Sequence, residues 1–94
     1  MKNYLLLHYG FKKPTAEEMS AWNKWFESVA DRQVDRGGFR AGREISHSGT
    51  KELPFAKDSI TGYTVIEAED LDEAEKIAQE CPIVACTRVY EVSK

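Results

Sequence analysis

The chain has 94 residues, 13 of them Lys or Arg against 16 Asp or Glu, and a formal net charge of −3, which is one domain's worth of sequence and leaves no room for a second. Its 41% hydrophobic and 31% charged residues exclude a disordered or collagen-like chain, and no apolar run approaches the roughly 18 residues of a transmembrane helix. The acidic balance argues against nucleic acid or an anionic membrane as partner, because phosphate binding needs a clustered positive surface. A domain this small buries a modest core and gains from self-association. Cys81 and Cys86 are too few for a disulfide scaffold, and the apolar stretch Tyr4 to Leu7 is too short for a signal-peptide core, so the expectation is a cytoplasmic protein with reduced thiols.

Tyr4 to Tyr9 form an apolar and aromatic run stopped by Gly10, which predicts a central strand buried on both faces. Thr15-Ala16-Glu17-Glu18 reads as a capping box that opens a helix. Met19, Trp22, Phe26 and Val29, with Trp25 beside them, give that helix one large apolar face. Arg32 and Arg36 suit the negative end of a helix dipole and Gly37-Gly38 offers a stop, so the helix is expected to end near Asp35. The alternation from Phe39 to His47 predicts the second strand, weakened by Gly42. The polar segment Ser48 to Ser59, broken by Gly49 and Pro54, reads as a loop or flap. Gly62 to Ala68 is rich in β-branched and aromatic residues and predicts a third strand. Asp70, with Glu73 three residues on, caps a second helix that Pro82 forbids from continuing past about Glu80. Val84 to Val92 supplies the last strand, with Thr87 and Val89 on one face and Cys86, Arg88 and Tyr90 on the other.

The order strand, helix, strand, strand, helix, strand is that of an α+β, ferredoxin-like βαββαβ sandwich with an antiparallel sheet. Two helices cover one sheet face only. Because the strands carry apolar side chains on both faces, a second copy is the expected lid over the open face, giving a homodimer. In the first strand the odd positions Leu5 and Leu7 are the more uniformly aliphatic and are expected to face the helices. Tyr4, Leu6 and His8 would then point to the open face.

Several stretches resemble the YCII-related family, in particular the YciI-like branch named for an Asp-Gly-Pro-Phe signature. They are Lys2 to Leu7, Pro14 to Phe26, Gly37-Gly38, Gly62 to Ile66, Ala68 to Ala74, Ile77-Ala78 and Cys81-Pro82-Ile83. The resemblance implies a dimeric α/β barrel made of two ferredoxin-like subunits facing each other across their sheets. Where the signature has Asp-Gly-Pro-Phe, this chain has Glu52-Leu53-Pro54-Phe55. Relatives in the YciI-like branch carry a His and Asp pair proposed as catalytic. The corresponding positions here fall near Ser20 and at Cys81, and neither side chain can do that general-base work, so no catalytic residue is assigned.

His8, at the end of a central strand, is the side chain best suited to move protons near neutral pH. Arg43 and His47 share a face of the predicted second strand and Tyr63 opens the third. These four residues form the candidate ligand site, in a cavity between the open sheet face and the segment Ser48 to Ser59. His8, His47, Cys81 and Cys86 could in principle hold zinc, but the C-x4-C spacing joins a helix end to a strand rather than forming a knuckle, and no metal is expected. Among Arg32, Arg36, Arg40 and Arg43, an anion site competes with a plainer account, that of a helix terminus and a charged edge strand. No phosphate loop, nucleophile elbow or HExxH pattern is present. The resemblance leaves two roles open. One is a lyase or isomerase acting on a small cyclic or phenolic compound without a cofactor; the other is a non-catalytic dimeric binding or accessory module.

Overall fold

The computed structural model describes residues 1–93. The elements run β1 (Lys2–Tyr9), α1 (Ala16–Ser28), β2 (Gln33–Gly38), β3 (Gly42–Ser46), β4 (Gly49–Leu53), β5 (Ile60–Ala68), α2 (Leu71–Gln79) and β6 (Cys86–Glu91). Four strands form one antiparallel sheet in the order β2-β5-β1-β6. The topology is the ferredoxin-like α+β sandwich, with a separate β3–β4 hairpin inserted between β2 and β5.

Both helices start where the side chains can satisfy free backbone N–H groups. Thr15 and Glu18 make a reciprocal capping box at α1, and the Asp70 carboxylate accepts the Glu73 N–H at 2.8 Å to open α2. Together the helices cover the face formed by Tyr4, Leu6, Ile66 and Ala68, which are almost completely buried. The backbone of α2 comes down close to β1, β5 and β6 through the small Ala74 and Ala78, whereas α1 stands further off. Its spacers are Trp22 and Trp25, whose rings pack edge to face 5.9 Å apart. The Trp25 indole N–H donates to the Ile77 carbonyl at 3.0 Å, tying the two helices together.

Three expectations are corrected here. First, Tyr4, Leu6 and His8 face the helices, and Leu5 and Leu7 lie half-buried on the open face. Aliphatic uniformity did not mark the core side, because Tyr4 and His8 both find polar partners there. Second, α1 ends at Ser28, not near Asp35. The Val29 carbonyl accepts from the N–H groups of both Arg32 and Gln33 at 2.9 Å, and the turned chain enters the sheet as β2. Gly37 belongs to that strand: a Cβ there would lie 2.6 Å from the Tyr63 ring, so only glycine lets the ring cross the β2 backbone. Third, the segment from Phe39 to His47 is not a strand of the main sheet, and Gly49–Leu53 of the expected Ser48 to Ser59 loop is strand. Gly42–Ser46 and Gly49–Leu53 pair as β3 and β4 in a hairpin exposed along its whole length.

Gly10 closes β1 at φ 109°, and a Cβ there would meet the Ala85 N at 2.7 Å and Val84 Cγ1 at 2.9 Å. The expected outcome for Gly10→Ala is a loss of more than about 1 kcal/mol in urea unfolding, since alanine resists positive φ even before the clash is counted. An unchanged midpoint would show that the Val84-Ala85 turn gives way freely.

Candidate functional site

A cleft of about 580 Å³ opens between α1 and one end of the sheet, within the size range of small-molecule sites. It exists because the sheet carries no side chains where α1 stands off. Gly38 and Gly62 are paired in register on β2 and β5 and both line the cleft with Gly10. A Cβ on Gly38 would meet nothing closer than 3.9 Å, so the space beside it is free. Met19, Trp22 and Phe26 of α1 form the opposite wall, with Phe11 and Val84 at the mouth. Phe11 in turn stacks on Phe55 at 5.2 Å, which anchors the chain following the hairpin beside the opening.

His8 lies at the floor of the cleft on the helix side, buried beneath Trp22 and Trp25, whose rings meet the imidazole edge to face at 5.1 and 6.0 Å. Its Nε2 is 3.0 Å from the Thr64 hydroxyl and its Nδ1 is 3.5 Å from the Thr87 hydroxyl, which lies 3.7 Å from Cys81 Sγ. The chain of contacts favours one polarity. With Thr64 donating to Nε2, Nδ1–H donating to Thr87 and Thr87 donating to the sulfur, every hydroxyl and ring N–H has an acceptor; the reverse leaves the Thr64 O–H without one. Burial pushes the imidazole from its usual 6.5 down to about 4 and pushes the Cys81 thiol up. Both groups are therefore neutral at pH 7.

The other sequence candidates are spread apart. Tyr63 reaches the cleft edge, stacks on Phe39 at 5.5 Å and donates its hydroxyl to Asp35 Oδ2 at 2.9 Å. That bond holds its proton on more tightly than usual. Arg43 and His47 are not part of the cleft: Arg43 pairs with Glu52 across the hairpin at 2.9 Å and His47 sits in its exposed turn. The strand expected to carry them into the sheet is the free hairpin, so the proposed grouping dissolves. The cavity also lies on the helix side of the sheet, not on the open face. The residues missed were Trp22, Phe26, Arg36 and Gly38. For the two aromatics, helical spacing favours core packing over a stacking platform, yet an indole and a phenyl ring on an amphipathic face serve as both core and cleft wall. His8 and Cys81 are linked through Thr87, while Cys86 is exposed and His47 is at the hairpin turn, so the four zinc-ligand candidates do not converge. Among the described residues no cluster of three metal-ligating side chains is found, and no helix is long and apolar enough to cross a membrane.

His8 makes stability depend on pH with a definite sign. The unfolded chain takes up the proton near pH 6.5 and the folded one only near 4, so the contribution of the neutral ring is complete above pH 6.5 and is lost as the pH falls through that window. His8→Gln lacks the titration. The excess stability of the wild type over this variant, read by urea unfolding, is expected to shrink steadily across the window; a constant difference would mean that the ring protonates in place without penalty.

The profile of the YCII-related domain matches residues 3–94. Among solved structures, the fold is similar to that of 5-chloro-2-hydroxyhydroquinone dehydrochlorinase (TftG) from Burkholderia phenoliruptrix AC1100 in complex with 2,5-dihydroxybenzoquinone, with a TM-score of 0.62 and 17% sequence identity over 97% of this chain and 93% of that one. At that identity the likeness is one of fold. No curated protein sequence matches. With the domain profile spanning nearly the whole chain, this protein belongs to the YCII-related family.

Proposed function

We propose that the protein is a cytoplasmic enzyme without a resident cofactor, a lyase or isomerase that takes a small cyclic compound into the α1 cleft and uses His8 as its proton carrier. The observation that carries this reading is a neutral, buried imidazole at the floor of a cleft walled by aromatic rings. Stacking against Trp22 and Phe26 would orient a flat ring. A neutral imidazole can accept a proton from an activated C–H and return it elsewhere on the ring. A ligand also excludes water above His8, and any negative charge that develops on it stabilises the imidazolium. A fold neighbour holding 2,5-dihydroxybenzoquinone is consistent with such a guest.

The second reading, a non-catalytic binding module, is favoured by one specific feature: both ring nitrogens of His8 already face threonine hydroxyls and none faces a carboxylate. Hydrogen exchange separates the two. With 2,5-dihydroxybenzoquinone as probe in heavy water, the wild type is expected to speed deuterium uptake at the ring C–H, while His8→Gln still binds the probe and gives only the solvent rate. Equal exchange with both proteins would leave the binding module standing. Gly38→Val, whose Cβ would meet nothing closer than the Thr61 carbonyl oxygen at an ordinary contact distance of 3.9 Å, should fold normally and lose binding of the probe, read as the shift of the Trp22 indole N–H signal.

We also infer a homodimer through the open sheet face. Leu5, Leu7 and Val65 lie there half-buried beside Tyr90, and an apolar patch of this kind suits a second copy. Sedimentation is expected to give a dimer at micromolar concentration and a monomer for Leu7→Glu. A monomeric wild type would overturn the inference.

A further inference from the structure

Arg32, Arg36, Arg40 and Arg43 have separate fates in the fold. Arg32 pairs with Glu73, and Arg43 with Glu52. Arg40 lies outside the cleft lining. Arg36 alone of the four lines the cleft, and among the described residues it has no ion-pair partner. The helix terminus that would have explained it is seven residues behind it, at Val29.

Its placement is fixed by register. Arg36 pairs with Thr64, whose side chain is on the helix face, so the guanidinium rises toward α1 and rests 4.2 Å over the Phe26 ring. The neighbouring Asp35 pairs with Val65 and points to the other face, where its carboxylate takes the Tyr63 hydroxyl. Glu27 borders a shallow depression beside Arg36 without pairing with it. The remaining charges in the cleft, Lys12 and Glu18, neutralise each other at 3.3 Å. His8 is uncharged. The cleft therefore has an apolar, aromatic interior and a single uncompensated cation held at its lip by a ring that is itself part of the wall.

We propose that the cleft selects a flat ring bearing one carboxylate, with the ring between Trp22 and the glycine floor and the carboxylate on the Arg36 guanidinium. This rests on the reading of the cleft as the ligand site and adds the charge of the ligand to it. The guanidinium presents paired N–H donors whose geometry matches a carboxylate, and its position over Phe26 costs the ligand no ordering of a long flexible side chain. A neutral ring would leave that cation with water alone.

Benzoate and benzamide, equal in shape and different in charge, test it. Their binding is read from the Trp22 indole N–H signal, which is distinct from that of Trp25 because the latter is bound to the Ile77 carbonyl. Benzoate is expected to bind the wild type about tenfold more tightly than benzamide, the scale of one charge-assisted hydrogen-bonded pair. Arg36→Gln should bring benzoate down to the benzamide level and leave benzamide unchanged. Arg36→Lys should retain part of the preference. If benzoate and benzamide bind the wild type equally, or Arg36→Gln leaves the preference intact, the charge assignment is wrong and the cleft reading survives. If neither compound moves the Trp22 signal, both the assignment and the cleft reading fall.

Discussion

Bulk on one helix and its absence on the other set the shape of this protein. Ala74 and Ala78 let α2 lie down on the sheet, while Trp22 and Trp25 prop α1 away from it. A protein interior tolerates little empty space, so the wedge under α1 has to be filled by large side chains, and Trp25, Val29, Tyr4 and His8 fill it. The filling stops where the sheet runs into Gly38 and Gly62. The cleft is thus the unfilled end of a wedge that the indoles open, and the packing that holds the fold together also creates the space a ligand could use.

Placing a histidine in such a wedge is costly unless its nitrogens are met. Thr64 and Thr87 meet them from two different strands, one on either side of β1 in the sheet. The imidazole is therefore clamped between β5 and β6 and crossed by two indole edges. Its orientation is set by the sheet register rather than by its own rotamer preferences. Such a ring is pre-organised by its contacts with Thr64, Thr87, Trp22 and Trp25.

The capped helices, the central first strand and the order of elements along the chain were legible because each rests on local signals: Thr15 with Glu18, Asp70 with Glu73, and the β-branched run before Ala68. The face of β1 was not. Period-two alternation separates Tyr4, Leu6 and His8 from Leu5 and Leu7, but does not say which set meets the helices when both are apolar. The polar ends do not decide it either: Asn3, Glu67 and Arg88 have the parity of the open face, but Lys2 and Glu91 have that of Tyr4 and Val89 and pair with each other on that side. The second strand was misplaced because its determinants are tertiary. Gly37 and Gly38 look like a helix stop in sequence and become strand by pairing with Tyr63 and Gly62 of β5, with the Tyr63 ring lying over Gly37. That error carried Arg43 and His47 into the expected site and made Arg36 look like a helix-end cation.

The thiol at position 81 gains meaning from the same geometry. Cys81 is buried against Thr87, one hydroxyl away from His8. An ionised carboxylate in that place would pull the imidazole toward its charged form, and the pair would share a proton or form a buried ion pair. A thiol whose pKa is raised by burial stays protonated and exerts no such pull. Burial lowers the basicity of His8 and raises the Cys81 thiol, so the two groups joined through Thr87 form a neutral couple. Among the described residues the cleft keeps one unmatched charge, on Arg36 at the lip, above a floor where the imidazole is neutral, and a buried neutral group answers strongly to the charge of whatever enters beside it.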